Sequence, residues 1–307
     1  MKAAYLVAHG GVDMFRYGDL PDPTPGPDDV LVDIHAASVN AADWKVRINA
    51  YGSKLDFPYV LGRDFSGVVS AIGANVSDLA VGDEVFGVCP AGQEGTYCEK
   101  IAIKAAITAK KPAHMSHVDA AALALIGLTA IVTIDESLKL QKGEKILIHG
   151  GAGGVAGFAI QYAKYIGAHV VTTASARNAD YVRGLGADEV IDYNTQNVAD
   201  VVKDCDCAFD TVGGDATASA FAVLKQGGRA AFIAGGQQPP APPRADIQSI
   251  RPAVGRSRRH MERIGELLAA KAITVPPVTK FALQDAAKAH EISEGRHLRG
   301  KLVFAIR

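Results

Sequence analysis

The segment 145–173 constrains the fold more strongly than any other part of this 307-residue chain. It starts with a short apolar run at 146–148, passes through a glycine-rich turn, and continues as an amphipathic helical pattern to residue 168. A second apolar run follows at 169–173. Two apolar strands joined through such a helix form a β-α-β unit, whose strands are parallel. The segment therefore predicts a parallel sheet with helices on its faces.

The glycine-rich turn has the spacing of a dinucleotide-binding site. Residues 151–156 read Gly-Ala-Gly-Gly-Val-Ala, which fits the pattern G-x-G-x-x-G/A. One glycine makes the tight turn, a second lets the backbone approach a pyrophosphate, and the last small residue lets helix and strand pack closely. The helix N-terminus adds free N–H groups and a partial positive charge. We predict phosphate binding by Gly151, Ala152, Gly153, Gly154 and Val155, the alternative being a turn that serves packing alone.

The end of the second strand favours NADPH over NADH. In NAD-binding sites an Asp or Glu about 20 residues after the turn accepts hydrogen bonds from the adenine ribose. Here the strand ends in Thr173-Ala174-Ser175 without an acid, and Arg177 follows. An arginine binds a 2′-phosphate through charge-assisted hydrogen bonds, whereas a carboxylate would repel it. We therefore predict that Ser175 and Arg177 contact this phosphate, the alternative being an ordinary surface arginine.

The composition argues against nucleic acid and membrane as partners. Apolar residues make up 48% of the chain, charged residues 21%, and the formal net charge is −1. This balance gives no electrostatic reason to expect a polyanionic partner. The arginine-rich stretch 251–263 is predicted to be a solvated helix start, with a nucleic-acid patch as the alternative. The longest apolar stretch, 120–134, is shorter than the roughly 20 residues that span a bilayer, and predicts a buried helix.

Cysteine and histidine positions predict no metal site. Tetrahedral zinc needs four protein ligands, or three and a water molecule. Cys205 and Cys207 have no second pair nearby, Cys89 and Cys98 form no CxxC pair, and the nine histidines are scattered. The cysteines also show no disulfide framework, and the N-terminal apolar run is too short for a secretory signal. The expected compartment is the cytoplasm.

The character of the chain changes near residue 118. Short apolar runs and turn signals dominate before it, which predicts a β-rich region. Helical patterns then alternate with apolar runs at 146–148, 169–173, 189–191, 207–209 and 230–233, which predicts a doubly wound parallel sheet. Helices are predicted at 258–270 and 283–294, and a last strand at 301–306. This tail is too small for a domain and is expected to return to the β-rich region.

Several motifs in order resemble the medium-chain dehydrogenase/reductases, and most closely their zinc-independent quinone oxidoreductase (zeta-crystallin-like) branch. The matching segments are 35–47, 60–87, 121–130, the glycine turn, 186–194 (GADEVIDYN), 209–214 (FDTVGG) and 299–304 (RGKLVF). The resemblance implies an α/β protein with a GroES-like catalytic domain, 1–120 and 257–307, and a Rossmann dinucleotide-binding domain, 121–256. Where the zinc branch has a catalytic cysteine and a Gly-His-Glu, this chain has Asn40-Ala41-Ala42-Asp43 and Gly62-Arg63-Asp64.

The resemblance also implies roles for single residues. Asn40 matches a position beside the nicotinamide ribose and substrate, although it also fits a local turn cap. Tyr51 lies at the offset of a catalytic tyrosine in related enoyl reductases, where a phenol donates a proton. Thr129 matches a threonine near the nicotinamide, and Lys45 is a further candidate donor. The implied cofactor contacts are Tyr193, Val212, Ile233, Ala234, Gly235 and Lys301, with Arg299 as a further candidate.

The expected reaction is hydride transfer from NADPH to a quinone or an α,β-unsaturated carbonyl compound. Without a Lewis acid, only acceptors that are already electrophilic are expected to react. The alternatives are an enoyl-thioester reductase and an NADPH-binding protein without physiological turnover, crystallin-like or RNA-binding. The resemblance also implies a homodimer.

Overall fold

The computed structural model describes residues 1–90, 92–236 and 238–307, and the chain divides into two compact units. The β-rich unit comprises Met1–Leu125, Gly255–Glu266 and Val275–Arg307. The parallel-sheet unit comprises Ile126–Val254 and Leu267–Thr274. Each unit has a hydrophobic core of its own, one built around Ile34, Phe65 and Phe304 and the other around Leu147 and Phe232. The domain boundaries given by the sequence remain a prediction.

Strands occur in both units. In chain order they are β1 Lys2–Leu6, β2 Phe15–Asp19, β3 Asp29–Val39, β4 Tyr59–Val60, β5 Asp64–Ile72, β6 Glu84–Val88, β7 Lys100–Lys104, β8 Thr108–Lys110, β9 Lys145–Ile148, β10 His169–Ala174, β11 Glu189–Asp192, β12 Cys205–Asp210, β13 Leu224–Phe232, β14 Gln248–Ile250, β15 Val278–Phe281 and β16 Lys301–Ala305.

The α-helices are α1 Ala41–Arg47, α2 His117–Ile131, α3 Gly154–Ile166, α4 Ala179–Gly184, α5 Val198–Val201, α6 Ala216–Ala222, α7 Arg258–Ala269 and α8 Ala286–Glu294. Short 3₁₀ segments lie at Val12–Met14, Ala105–Ile107, Ala176–Asn178 and Leu283–Asp285. The helix predicted at 283–294 thus begins with a 3₁₀ turn, which α8 continues.

The predicted parallel sheet is confirmed. Its strand order is β11-β10-β9-β12-β13-β14, and every neighbouring pair is parallel. Counted from β9, this is the doubly wound order 3-2-1-4-5-6, in which the direction of winding reverses between β9 and β12. Ligands of such sheets bind outside the carboxyl ends of the strands at this reversal, and the glycine turn follows β9 there.

The described residues of the β-rich unit form two sheets. The smaller has the order β2-β1-β4 with antiparallel pairs. The larger has the order β15-β16-β3-β5-β6-β8, with β7 also paired to β3. Strand β16, from the end of the chain, pairs antiparallel with β3, so that Leu302 lies opposite Val39. This pairing brings the C-terminal segment next to the residues that precede α1.

Helix α2 is a core helix. It continues into a π-helical segment, Val132–Leu138, and the whole run His117–Leu138 is long and apolar enough to cross a membrane. This helical run is therefore longer than the apolar stretch 120–134 from which a buried helix was predicted. Because 78% of its most apolar window is buried inside the protein, its apolar character is explained by packing.

Candidate active site

The glycine turn lies at the carboxyl edge of the parallel sheet. The Gly151 N–H donates to the Thr173 carbonyl oxygen at 2.9 Å, which fastens the turn to β10. A Cβ on Gly151 would stand 2.4 Å from the Thr172 Oγ1, so only glycine fits there. Helix α3 starts at Gly154, and its N-cap residue Gly153 makes no side-chain cap. The N–H groups of Gly154 and Val155, in the first turn of the helix, are therefore available to an anion. The Gly153 N–H donates to the Gly150 carbonyl oxygen at 2.9 Å, and phosphate binding by residues 151–155 stays a prediction.

Gly150 is a part of this turn that sequence reasoning missed. Its φ is +76°, in the left-handed region, and a Cβ would stand 2.8 Å from the Val212 Cγ2. The signal was available as the first glycine of the run Gly150-Gly151, but the G-x-G-x-x-G/A match begins one residue later. A residue that must adopt a positive φ is invisible to a pattern that counts only spacing.

The predicted adenosine-side residues follow the next two strands. Ser175 and Arg177 come directly after β10, where Ser175 precedes the 3₁₀ turn Ala176–Asn178 and the Arg177 side chain is exposed. Tyr193 follows β11 and is 52% exposed. Because β9 pairs in parallel with β10 and β10 pairs in parallel with β11, these residues and the glycine turn lie along one edge of one sheet.

The remaining predicted cofactor contacts follow β12 and β13 at the same edge. Asp210 ends β12, and its Oδ1 accepts hydrogen bonds from the N–H groups of Val212 and Gly213, both at 2.9 Å. Ile233, Ala234 and Gly235 follow β13, and Gly235 has a φ of +88°. The structure therefore places the predicted cofactor residues along this edge, except Lys301 and the further candidate Arg299, which belong to the β-rich unit.

Lys301 lies in the β-rich unit, in contact with Asn40. Its Nζ donates to the Asn40 Oδ1 at 2.6 Å and to the Val39 carbonyl oxygen at 2.8 Å. The Asn40 Nδ2 in turn donates to the Asp64 Oδ2 at 2.9 Å. Asp64 also accepts from the backbone N–H and hydroxyl of Ser38, both at 2.7 Å. Lys301, Asn40 and Asp64 thus form a continuous buried chain of hydrogen bonds.

Both charged ends of this chain are strongly desolvated. Asp64 is fully buried and Lys301 is 4% exposed. Burial raises the pKa of the Asp64 carboxyl, although the Lys301 charge and the bonds from Asn40 and Ser38 oppose it. Burial lowers the pKa of the Lys301 ammonium, against the attraction of Asp64 and Asp43. The two groups are partners in an environment where neither would ionise easily alone.

A second buried cluster begins at Asp43, on the other side of Asn40. The Asp43 Oδ2 accepts from the Asn40 N–H and from the Tyr97 hydroxyl, both at 2.8 Å. Its Oδ1 lies 3.5 Å from the Arg63 Nε, and the Arg63 Nη2 lies 2.7 Å from the Glu94 Oε1. Asp43 is fully buried and the Glu94 side chain is 5% exposed, whereas that of Arg63 is 23% exposed. The Arg63 guanidinium therefore forms ion pairs with two buried carboxyl groups.

Two carboxyl groups of this cluster have pKa values close to neutral pH. Burial raises the pKa of the Asp43 carboxyl to about 6, although Arg63 and the Asn40 N–H favour the ionised form. Burial also raises the pKa of Glu94 to about 7, and the charge of Asp43 adds to this effect. For Arg63, burial lowers the pKa, but Asp43 and Glu94 outweigh it and the net pKa is raised.

The other predicted catalytic residues lie on α1, in the turn after α1, and on α2. Tyr51 follows α1 in a turn and is 40% exposed. Lys45 lies on α1, with its Nζ 5.7 Å from the centre of the Trp44 ring. Thr129 lies on α2 in the parallel-sheet unit and is 8% exposed. Sequence reasoning missed Asp43, Asp64, Arg63 and Glu94 as members of the site, although it noted three of these positions as departures from zinc-dependent proteins.

Metal-binding side chains do not cluster in the described residues. Within 1–90, 92–236 and 238–307, no group of three or more His, Cys, Asp and Glu side chains is arranged to hold a metal ion. The four cysteines are buried and free. Asn40 and Arg63 themselves carry an amide and a guanidinium, which are not zinc ligands.

Two family models match the chain. The model described as alcohol dehydrogenase GroES-like domain matches residues 26–113, and the model described as zinc-binding dehydrogenase matches residues 185–304. Together they reach into both compact units.

Similar proteins of known name are oxidoreductases. The chain is 37% identical over 229 residues to the mitochondrial NAD(P)H oxidoreductase RTN4IP1 of Mus musculus, a match that covers 67% of this chain but only 58% of that protein. It is 31% identical over 318 residues to the chloroplastic NADPH-dependent alkenal/one oxidoreductase of Arabidopsis thaliana, covering 99% of this chain and 79% of that protein. The structure is similar to the quinone oxidoreductase of Coxiella burnetii, with a TM-score of 0.91, 30% identity, and coverage of 100% and 99%.

Proposed function

Because the chain belongs to the medium-chain dehydrogenase/reductase superfamily, in its quinone oxidoreductase branch, we propose that it reduces quinones or α,β-unsaturated carbonyl compounds with NADPH. The observation that carries this proposal is the carboxyl edge of the parallel sheet. A glycine turn, the uncapped start of α3 and the loops after β10 to β13 are lined up there. A dinucleotide binds across the reversal in strand order, with its pyrophosphate at the glycine turn, and this edge offers loops on both sides of that point.

The residues present fit NADPH rather than NADH. The loop after β10 offers the Ser175 hydroxyl and the exposed Arg177 guanidinium, and β10 ends in Ala174 instead of an acid. A cation at this place attracts the 2′-phosphate that distinguishes NADPH. The relative from Arabidopsis thaliana, whose name includes NADPH dependence, supports the same choice.

When bound, NADPH supplies the hydride, and the chain supplies binding, orientation and exclusion of water. The backbone at Ala152, Gly154 and Val155 would hold the pyrophosphate, because the Gly151 and Gly153 N–H groups already donate within the protein, to the Thr173 and Gly150 carbonyl oxygens. Val212, Ile233, Ala234 and Gly235 would line the edge beyond the reversal. Asn40 orients the acceptor, and Tyr51 donates the proton that completes reduction of an enone. Thr129 contacts the nicotinamide amide. These roles are those that the family resemblance implies.

We propose further that the reaction is independent of zinc, despite the zinc-binding description of one matching family model. Asn40 and Arg63 stand where the zinc branch has a cysteine and a histidine, and neither an amide nor a guanidinium is a zinc ligand. Without metal polarisation, simple ketones and alcohols are poor substrates. Acceptors with a conjugated carbonyl already place an electrophilic carbon in reach of the hydride.

The test is oxidation of NADPH and of NADH by purified, chelator-treated protein with a panel of quinones, enals and enones. Turnover that persists after chelation and prefers NADPH supports the proposal. Binding without turnover on any acceptor would instead identify a cofactor-binding protein. Loss of activity on chelation that zinc restores would contradict zinc independence.

Arg177→Ala tests the cofactor choice. We expect the preference for NADPH over NADH to fall by about tenfold, the lower end for loss of a charge-assisted hydrogen bond, because the side chain is exposed to solvent. Arg183→Ala, an exposed arginine on α4, is the matched control and should leave the preference unchanged. If Arg177→Ala keeps the wild-type preference for NADPH over NADH, the Arg177 guanidinium does not recognise the 2′-phosphate.

A further inference from the structure

His149 occupies the point at which the winding of the parallel sheet reverses. It directly follows β9 and is 2% exposed. Its Nδ1 lies 3.3 Å from the Thr173 Oγ1 on β10, and its Nε2 lies 3.1 Å from the Ser219 Oγ on α6, which follows β12. The imidazole therefore bridges the two halves of the sheet edge.

The neighbouring hydrogen bonds fix the tautomer of this ring. The Ser219 hydroxyl donates to the Ala216 carbonyl oxygen at 2.9 Å, so its oxygen accepts from the imidazole. The proton consequently lies on Nε2, and Nδ1 is an acceptor for the Thr173 hydroxyl. That hydroxyl oxygen accepts in turn from the Gly150 N–H at 3.0 Å. The chain of donors runs without interruption from Gly150 through Thr173 and His149 to Ser219.

We propose that His149 is a positioning residue for NADPH, whose neutral Nε2–H imidazole couples the phosphate-binding turn to the loop and helix beyond β12. This inference rests on the proposed function, because it requires the cofactor at this edge. The turn side is fixed through Gly150, the glycine with φ +76°. The other side is fixed through Ser219 and through the Thr211 hydroxyl, which donates to the His149 carbonyl oxygen at 2.7 Å.

The coupling depends on a neutral ring. Burial lowers the pKa of His149, and the charge of Asp210, at the end of β12, opposes this shift only in part. A protonated ring has a donor on Nδ1 and can no longer accept from the Thr173 hydroxyl. Acid therefore removes the bond on the side of the glycine turn, whereas the bond to Ser219 is retained.

The first experiment compares NADPH binding by His149→Leu and His149→Gln, with His297→Leu, an exposed histidine of the β-rich unit, as the control. Loss of two hydrogen bonds should weaken NADPH binding about tenfold in His149→Leu, and the amide of His149→Gln should restore part of it. The KM for NADPH should rise with little change in kcat. Affinity should fall in acid for the wild-type protein but not for His149→Gln.

Two further measurements do not depend on how the His149 variants fold. The ¹⁵N chemical shifts of the ring in the wild-type protein should show a protonated Nε2 and a bare Nδ1. The effects of Thr173→Val and Ser219→Ala on NADPH binding should be non-additive, because both act on one bridge. Additive effects, the opposite tautomer, or unchanged affinity in His149→Leu would overturn this inference alone. Absence of NADPH binding by the wild-type protein would overturn the proposed function as well.

Discussion

Replacing Lys301 with methionine removes a buried ammonium group but keeps a long unbranched side chain. In the wild-type protein this ammonium donates to Asn40 and Val39, and it is the cation nearest in the hydrogen-bond chain to the buried Asp64 carboxylate. The substitution leaves the Asp64 charge buried without its counterion. Removal of one partner of a buried ion pair costs about 3–5 kcal/mol of unfolding free energy. We expect Lys301→Met to lower the unfolding free energy by an amount in this range.

A double-mutant cycle measures the interaction between the Lys301 and Asp64 charges. Asp64→Asn alone leaves the ammonium buried and should also destabilise by about 3–5 kcal/mol. The combined variant removes both charges, so it should be more stable than the sum of the single effects predicts, with a coupling of about 1–3 kcal/mol. The measurement is urea unfolding, with the m-values compared to confirm that each variant unfolds in the same way.

The matched control is Lys280→Met, because Lys280 is an exposed lysine on β15, the strand next to β16. We expect a change within about 0.5 kcal/mol, as is usual for surface positions. Additive effects of Lys301→Met and Asp64→Asn would refute the reasoning, because they would show that the two charges do not compensate each other through Asn40.

Four other changes test separate parts of the molecule. Gly151→Ala should lower the unfolding free energy by about 1–3 kcal/mol and weaken NADPH binding, because its Cβ would meet the Thr172 Oγ1 at 2.4 Å. Gly184→Ala, where nothing lies within 4 Å of a Cβ, should instead stabilise the protein by up to about 1 kcal/mol in a chemical-denaturation assay. The folded-state pKa of Glu94 is raised from 4.5 to about 7, so its contribution to stability is full below pH 4.5 and is lost as the pH rises to 7. In Glu94→Gln the fall in unfolding free energy between pH 4.5 and 7 should be smaller by about 3 kcal/mol, since one pKa unit corresponds to 1.36 kcal/mol. An identical pH dependence of unfolding in the wild-type protein and in Glu94→Gln would contradict the raised pKa of Glu94. Tyr51→Phe should lower enone turnover by about 100-fold but affect quinone turnover less, since a hydroquinone anion takes its proton from water; equal losses on both acceptors would argue against a proton-donor role.

The cofactor side of the molecule could be predicted from sequence because its signals are local. The glycine turn, the strand before it and the helix after it occupy consecutive residues, and apolar runs mark the following strands. Parallel strands place their carboxyl ends at one edge, so Arg177, Val212 and Gly235 follow without knowledge of distant contacts. Gly150 was the exception, because its requirement for a positive φ is a property of the backbone.

The polar network around Asn40 could not be predicted in the same way. The bond from Lys301 to Asn40 joins residues that are 261 positions apart, and the bond from Tyr97 to Asp43 spans 54 positions. Antiparallel pairing of β16 with β3 creates the first contact. In the sequence, Glu94 has the appearance of an ordinary surface charge, and Lys301 is predicted as a cofactor contact and not as a partner of Asn40. Only the fold shows that these side chains are buried and require partners.

The energetic cost of this network indicates what it does for the molecule. Buried opposite charges stabilise a protein little compared with apolar residues of equal volume, so Asp64 on β5 and Lys301 on β16 are a poor means of holding these two strands against β3, which lies between them. The pair does, however, fix the orientation of one amide. Lys301 can only donate and an ionised Asp64 can only accept, so the Asn40 oxygen must face the first and its nitrogen the second. An apolar replacement would allow the amide to rotate. Orientation of Asn40, rather than stability, is therefore the physical role of the two buried charges.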